Sequence, residues 1–288
     1  MTALTDRLRD YFASQKILLI GDTILDVQTF VEPIKPAEGS PLTPNYCVVH
    51  EARSLGGAGL VYRNLVALGN LPTFYNDSVG WTGAGEPTTK KQRIWCDGKK
   101  ILQLDTFGPG IEEPIWEEYL DEGISQADKV VVADYRHGLL TPERIADIVG
   151  YCQHFDKPLY VASQVSQSVS NHILYRSDKT IFVLNETEAG ATGPLPEKHV
   201  VTLGARGCFF RSKLEGCSQM HYEMRGITVD CVDSTGAGDA FLAAFCLMSL
   251  DDPSLALRVA NTWAGLSTKN IGADPPNPDE FWKMLEAW

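Results

Sequence analysis

Continuous apolar runs alternate with helical patterns along this chain of 288 residues. Helical spacing appears between the runs, for example over Ala58–Leu68 and Pro142–Tyr151. The runs have the length and flanking residues of buried strands, and they cover residues 16–21, 129–133, 158–162, 180–184 and 199–203. Strands that are apolar on both faces and joined by helices form parallel sheets covered on both sides. The sequence therefore predicts an α/β fold with a central, mainly parallel sheet flanked by helices on both faces.

Two segments depart from this alternation. Residues 26–53 are proline-rich and extended, and residues 92–105 have the pattern of a hairpin with Asp97-Gly98 at its tight turn. We expect both to form strands outside the central sheet, as a small β-lid over the strand ends; an excursion on the surface is the alternative. No linker divides the chain, so residues 1–288 are predicted to form a single domain with lid segments at approximately 26–53 and 92–105.

Charge and cysteine spacing exclude several classes of protein. The net charge is −12 and no basic run occurs, which argues against a nucleic-acid surface. The seven cysteines are widely spaced without a C-x-x-C pair, so a zinc ribbon or a disulfide framework is not expected. The N-terminus is polar and no apolar run reaches the length of a membrane span. These features predict a cytoplasmic protein without a membrane partner.

The stretch Asp233–Asp239, which reads D-S-T-G-A-G-D, lies between a predicted strand at 227–232 and an apolar helix that follows at once. Backbone N–H groups at a helix N-terminus are unpaired and the helix dipole is positive there, so this turn can hold an anion. An anion site beside a carboxylate suits phosphoryl transfer, since the donors stabilise charge and the base orients the attacking hydroxyl. An ordinary capped turn between strand and helix is the alternative.

Polar residues and one glycine directly follow the predicted strands. In parallel sheets ligands gather at the carboxyl ends of the strands, which meet at one edge. The candidates for a site at this edge are Asp22, Asp134, Asn185 and Gly204.

Motifs in order from about residue 16 to residue 272 resemble those of the ribokinase-like (phosphofructokinase-B type) carbohydrate kinases. The Asp233–Asp239 stretch resembles the C-terminal motif of that family. The heptose-7-phosphate kinase branch is the most similar. The motifs that resemble this branch or the wider family are Gly21–Asp26, Gly56–Ala58 with Asn64–Gly69, the group Thr89, Lys91, Arg93 and Asp105, Asp134-Tyr135 with Gly138, Asn185 with Glu188, and Asn261 with Gly265.

The resemblance implies ATP- and Mg²⁺-dependent phosphoryl transfer to a sugar or sugar phosphate on a ribokinase-like fold. Asp239 would be the catalytic base, with an anion hole formed by the N–H groups of Gly236, Ala237 and Gly238. The residues that would face the sugar are Asp22, Asp26, Gly56, Gly57, Lys91, Arg93 and Asp134. Glu188 and Asn185 would bind the metal, partly through water. The nucleotide contacts would come from Asn185, Thr202, Gly204, Gly207 and Asn261. A monovalent cation and a homodimer through the lid are further expectations from the family.

Each implied role has a structural alternative. Carboxylates such as Asp22 and Asp26 can accept hydroxyl protons from a sugar, but they can also cap a turn. Asn185 and Glu188 offer the oxygen ligands that Mg²⁺ prefers, yet the same pair completes a capping box at a helix start. The glycines near the nucleotide could be turn residues only, and the two lid cations could be solvated edge charges.

The acceptor side departs from the heptose-7-phosphate branch. Leu60 stands where the branch has asparagine, His137 stands in place of lysine, and Gln103 stands in place of a basic residue. Ala162–Gln164 replaces a D-P-K-like segment, and the stretch between residues 80 and 93 is short. Because up to three cations and one carboxylate are lost, we expect an acceptor other than heptose 7-phosphate, either less charged or larger.

Two other functions stay open. One is a non-catalytic protein that binds nucleotide or sugar on this fold, and the other is a kinase for a nucleoside or another small alcohol. An NAD-dependent Rossmann enzyme is disfavoured, because Gly21-Asp22-Thr23 lacks the G-x-G-x-x-G pattern of dinucleotide sites.

Overall fold

The computed structural model describes residues 3–36, 39, 42–76, 89–107, 117–165, 171–212, 220–270 and 272–287. The helices in these ranges are α1 (Ala3–Ser14), α2 (Ala58–Ala67), α3 (Glu117–Gln126), α4 (Pro142–His154), α5 (Glu186–Ala191), α6 (Ala237–Leu247), α7 (Pro253–Ser267) and α8 (Pro278–Glu286). The strands are β1 (Ile17–Gly21), β2 (Thr23–Ile34), β3 (Asn45–Gly57), β4 (Thr73–Asn76), β5 (Thr89–Cys96), β6 (Lys99–Thr106), β7 (Lys129–Asp134), β8 (Leu159–Ser163), β9 (Thr180–Asn185), β10 (Lys198–Thr202), β11 (Gly207–Ser212) and β12 (Met220–Arg225). Short 3-10 helices cover Asn171–Tyr175 and Gly204–Arg206.

The central sheet has the strand order β12-β11-β10-β9-β8-β7-β1-β4. The six neighbouring strands β4, β1, β7, β8, β9 and β10 pair in parallel. Strands β11 and β12 add an antiparallel hairpin at the β10 edge. The five predicted apolar runs are β1, β7, β8, β9 and β10, so the mainly parallel sheet is confirmed.

Helices cover both faces of this sheet, and two apolar cores result. In β1, Ile17 and Leu19 face one core, whereas Leu18 and Ile20 face the other. Helices α1, α2, α6, α7 and α8 pack on the first side, and α3 and α4 on the second. All residues from Ala240 to Leu247 are buried, so α6 is enclosed and its N-terminus is fixed at the edge of the sheet. None of the described helices has the length and apolarity needed to cross a membrane.

A second sheet forms the predicted lid, with the order β3-β2-β5-β6. Strands β2 and β3 are antiparallel, β2 and β5 are parallel, and β5 and β6 form the predicted hairpin. Asp97 and Gly98 both have positive φ, 49° and 72°, as the turn of a two-residue hairpin requires. Because β2 starts at Thr23, two residues after β1 ends, the lid joins the central sheet beside the strand ends.

The strand predicted at 227–232 is wrong: β12 ends at Arg225, and the N–H groups of Val232 and Asp233 donate to the Thr268 carbonyl instead of a neighbouring strand. The last helix, α8, is capped by Asn277, whose side chain accepts from the N–H groups of Asp279 and Glu280. Of the shortened stretch between residues 80 and 93, residues 80–88 lie outside the described residues.

Candidate active site

A cleft of about 260 Å³ lies between the lid and the carboxyl ends of the central strands. A second cavity of about 210 Å³ adjoins it and shares Thr202 and Gly238 with it. The predicted site residues that line the cleft are Asp26, Gly56, Gly57, Lys91, Arg93, Asp134, Asn185, Glu188, Thr202, Gly236, Gly238 and Asp239. Those that line the second cavity are Thr202, Gly204, Gly207, Ala237, Gly238 and Asn261. The N-terminus of α6 therefore lies where the two spaces adjoin.

Asp239 lies in the first turn of α6 and faces the cleft. The hydroxyl of Tyr135, the residue directly after β7, donates a hydrogen bond to Asp239 Oδ1. Burial raises the pKa of Asp239 to about 7; the Tyr135 hydrogen bond opposes this rise, the Asp26 and Glu188 carboxylates add to it, and Lys91 opposes it. A carboxylate that titrates near neutral pH is well matched to accept a proton. Tyr135 is not among the predicted site residues, although it belongs to the Asp134-Tyr135 motif.

The turn before α6 presents backbone donors. Gly236 has φ of 80° and forms the N-cap of α6. The Ala237 N–H donates to the Ser234 carbonyl at 3.2 Å and closes the turn. Within the described ranges, neither the Gly236 nor the Gly238 N–H donates a hydrogen bond. Of the three predicted anion-hole donors, Gly236 and Gly238 are thus available to an anion, whereas Ala237 is engaged.

Asp233 stabilises the shape of this turn. Its Oδ1 accepts the N–H and the hydroxyl of Thr235 at 2.9 and 2.7 Å, and its Oδ2 accepts the N–H of Gly272 at 3.0 Å. Partial burial opposes ionisation of Asp233, but these hydrogen bonds lower its pKa. The charged carboxylate therefore fastens the turn to the segment after α7.

Asn185 and Glu188 form the capping box that the sequence allowed as an alternative. The Asn185 side chain accepts from the Glu188 N–H, and Glu188 Oε2 accepts from the Asn185 N–H, both at 2.9 Å. The pair also lines the cleft, and burial raises the pKa of Glu188. Because this hydrogen bond engages Oε2, Glu188 retains Oε1 as a further oxygen. Capping and metal binding are therefore compatible roles.

The lid contributes charged groups to the cleft. Arg93 forms an ion pair with Asp26, and their side chains are only 16% and 8% exposed. A Cβ at Gly56 would lie 2.1 Å from Asp26 Oδ2, so glycine is needed there for the carboxylate to approach the backbone. Lys91, two residues before Arg93 on β5, lines the same cleft without an ion pair among the described residues. Lys91 is therefore the lid cation that is left for an anionic group.

Two predicted sugar-facing carboxylates are engaged in holding loops. Asp22 is fully buried and does not line the cleft; it accepts the N–H groups of Tyr135, His137 and Leu139 at 3.0, 3.3 and 3.0 Å. Asp134 lines the cleft, but its carboxylate accepts four hydrogen bonds. The donors are the N–H of Arg136, the hydroxyls of Ser163 and Tyr175, and the side-chain amide of Asn171. Both carboxylates therefore shape the site indirectly, because they hold the loops that surround it.

The positions that depart from the heptose branch lie in different places. Leu60 lines the cleft with an apolar side chain. Ser163 and Gln164 line it with polar side chains. The His137 ring packs against Phe107, with 5.4 Å between the ring centroids. Gln103 lies on the exposed strand β6, where its amide donates to Asp105 at 3.0 Å. The acceptor side is consequently less cationic than the branch pattern implies.

The second cavity is lined largely by small and apolar residues. Asn261 is buried, and its Nδ2 donates to the Arg225 carbonyl at 2.9 Å, which fixes the orientation of the amide. Ile227 and Val229, from the stretch that was expected to be a strand, turn inward and line this cavity. Such a lining suits an apolar group, with the Asn261 amide as one polar contact.

Comparisons with known proteins found a matching family and similar sequences. Residues 178–280 match the model of the pfkB family carbohydrate kinases. The chain is 26% identical over 311 residues to the bifunctional protein HldE of Geobacter sulfurreducens, and the alignment covers 92% of this chain and 61% of that protein. The chain thus spans less than two thirds of the length of this relative.

Solved structures share the fold. The ribokinase of Giardia lamblia superimposes with a TM-score of 0.66 at 18% identity, covering 96% of this chain and 99% of that one. The Arabidopsis thaliana ribokinase complexed with ribose and ATP gives 0.63 at 17% identity, with coverage of 93% and 99%. These similarities confirm the predicted ribokinase-like fold. The family resemblance is supported by the match over residues 178–280.

Proposed function

We propose that the chain is a carbohydrate kinase of the pfkB type and that it transfers the γ-phosphoryl group of ATP to a hydroxyl of a sugar or sugar phosphate. The observation that carries this proposal is the position of Asp239 at the N-terminus of α6, where the cleft and the second cavity adjoin. Unengaged N–H groups of Gly236 and Gly238 flank the same point.

The residues support a direct transfer. The acceptor would lie in the cleft, with ATP in the second cavity and its phosphates toward Gly238. The hydroxyl oxygen bonds to the γ-phosphorus as the bond to the β,γ-bridging oxygen breaks; its proton passes to Asp239, and ADP leaves. The Gly236 and Gly238 N–H groups would stabilise charge on the phosphoryl oxygens. Because the pKa of Asp239 is about 7, its ionised fraction, and with it the rate, should rise as the pH rises through 7.

Magnesium would be held by Glu188 and Asn185, partly through water. Within the described ranges no group of three or more His, Cys, Asp or Glu side chains is arranged to hold a metal. Mg²⁺ bound to a nucleotide does not need such a cage, since phosphates and waters supply most of its ligands. The metal would neutralise phosphate charge when bound. The second oxygen of Glu188 fits this role, because the capping hydrogen bond engages only Oε2.

Glu188→Gln separates metal binding from helix capping. Glutamine keeps an oxygen that can accept the Asn185 N–H, so thermal stability should change little. Loss of the charge should raise the Mg²⁺ concentration for half-maximal activity by about tenfold. Glu186→Gln is the matched control, since Glu186 is in the same first turn but is exposed and paired with Arg206. Unaltered Mg²⁺ dependence in Glu188→Gln would leave Glu188 with the capping role alone.

An ATP-consumption screen tests the function itself. The panel pairs neutral sugars with their phosphates and includes nucleosides and small alcohols, with and without K⁺. The Asp239→Asn protein supplies the background rate. We infer an acceptor that is less anionic or larger than heptose 7-phosphate, because Leu60 and His137 replace polar and cationic groups. Nucleotide or sugar binding by calorimetry, without phosphate transfer to any acceptor, would favour the non-catalytic alternative.

We further propose that the lid pairs with the lid of a second copy. Its edge strands β3 and β6 expose apolar side chains, including Val48 and Val49 at 59% and 60% and Leu102 at 48%. Exposed edge strands of this kind favour pairing with another chain. Sedimentation should give a dimer for the wild type and a monomer for Val49→Lys, whereas Leu71→Lys, at an exposed site outside the lid, should stay dimeric. A monomeric wild type would contradict this proposal.

A further inference from the structure

We propose that Tyr135 is a positioning residue for the base: its hydroxyl holds Oδ1 of Asp239 and thereby leaves Oδ2 to the acceptor. This inference rests on the proposed function, because it assigns a role within the same site. The supporting geometry is the hydrogen bond from the Tyr135 hydroxyl to Asp239 Oδ1, between two residues that both line the cleft. The carboxylate torsion of an aspartate is broad, so one fixed oxygen restricts where the other lies.

The loop that carries Tyr135 is held rigidly. Its backbone N–H donates to Asp22 Oδ2 at 3.0 Å, and Asp22 accepts two further N–H groups from the same loop. The next residue, Arg136, has φ of 59°, a left-handed conformation that is unusual for a residue other than glycine. The Arg136 N–H donates to Asp134 Oδ1 at 2.9 Å. Such strain persists only where the surroundings enforce it, and it is commonly found at functional sites.

Buried carboxylates from two strand ends therefore fix the backbone of Tyr135, and Tyr135 in turn fixes Asp239. Asp22 is fully buried and does not line the cleft, so a direct contact with sugar does not account for it. Holding the loop that carries Tyr135 does. This sequence of contacts also connects the end of β1, the loop after β7 and the start of α6, which are distant in the chain.

The groups that affect the ionisation of Asp239 come from three elements and from the loop after β7. Tyr135 follows β7, Asp26 is on β2, Lys91 is on β5 and Glu188 is on α5. Burial, Asp26 and Glu188 favour the neutral carboxyl group, whereas the Tyr135 hydroxyl and Lys91 favour the ionised form. The tyrosine hydroxyl thus has two effects, since it orients the base and keeps more of it ionised at neutral pH.

Tyr135→Phe removes the hydroxyl and keeps the ring. In protein labelled with ¹³C-aspartate, with the Asp239 signal assigned by its absence in Asp239→Asn, the pKa of Asp239 should rise by about one unit. Transfer at pH 7 should fall about tenfold through kcat, with a smaller change in the KM for the acceptor, and the pH–rate profile should move to higher pH. Tyr175→Phe is the control: it removes an equivalent hydroxyl-to-carboxylate bond, to Asp134. The titration of Asp239 should be unchanged there.

Equal titration of Asp239 in the wild type and Tyr135→Phe would overturn the proposal. The titration needs no substrate, so it stands apart from the proposed function, which fails separately if the wild type transfers phosphate to no acceptor. If Tyr135→Phe fails to fold, the titration of the Tyr135 phenol can be measured instead in a protein that keeps this tyrosine. Asp239 contributes to the raised pKa of the Tyr135 phenol, so Asp239→Asn should lower that pKa, as read from ¹³C-tyrosine. An unchanged phenol titration would also overturn the proposal.

Discussion

Asp239→Asn should lower the rate of phosphoryl transfer by about 10²–10⁴-fold, the usual contribution of a positioned base. Asparagine has nearly the same shape and can still accept the Tyr135 hydrogen bond, but it cannot take up the proton of the acceptor. The cavity assigned to the nucleotide is lined by other residues, so the Kd for ATP should stay within a few fold. Initial rates with the best acceptor and calorimetric titration with ATP measure the two effects.

The control for this variant is Asp279→Asn. Asp279 is also a carboxylate in the first turn of a helix, but it is exposed at the start of α8 and does not line the cleft. Its replacement tests whether loss of negative charge at a helix N-terminus reduces the rate by itself, and we expect full activity. If Asp239→Asn retained full transfer activity, Asp239 could not be the base, and another group in the cleft would have to accept the proton.

Local sequence patterns predicted the elements whose burial is nearly uniform. Strands such as β1 and β7 are buried on both faces, and that environment requires an unbroken apolar run whatever their neighbours are. The edge of the sheet was harder. Residues 227–232 have a strand-like composition, yet Met220–Arg225 forms the edge strand, because β11 pairs with that segment, whereas none of the described strands pairs with residues 227–232. Pairing depends on distant partners that a local pattern does not contain.

The same limit applies to the site. The rule that ligands gather at strand ends predicted that Asp134 and Asn185 would line the cleft, and both do so. It did not predict that Asp22 would accept three N–H groups more than a hundred residues away, or that the Tyr135 hydroxyl would reach Asp239. The hydrogen-bond partners of buried polar groups depend on the packed fold. A carboxylate motif is therefore equally consistent with a sugar contact and with a carboxylate that holds a loop.

Gly236→Ala should reduce both stability and transfer, because this position tolerates no side chain. Its φ of 80° costs an alanine about 1–2 kcal/mol. A Cβ there would also lie 2.5 Å from Leu60 Cδ2 and 3.1 Å from the Ala273 side chain. We expect the free energy of unfolding, from urea denaturation, to fall by about 2–3 kcal/mol. A displacement of the anion-binding turn by about 1 Å would lower kcat by about a hundredfold.

Gly238→Ala provides the matched comparison. A Cβ at Gly238 meets no atom within 4 Å, and the residue is helical, so the substitution should leave stability equal or slightly higher. Any loss of activity in Gly238→Ala would therefore come from crowding of the phosphate. Leu60 is buried, so Leu60→Ala should cost less stability in the Gly236→Ala background than in the wild type, because there it also relieves the contact with the new Cβ. If Gly236→Ala were as stable and active as the wild type, the turn could not have the conformation that presents its N–H groups to an anion.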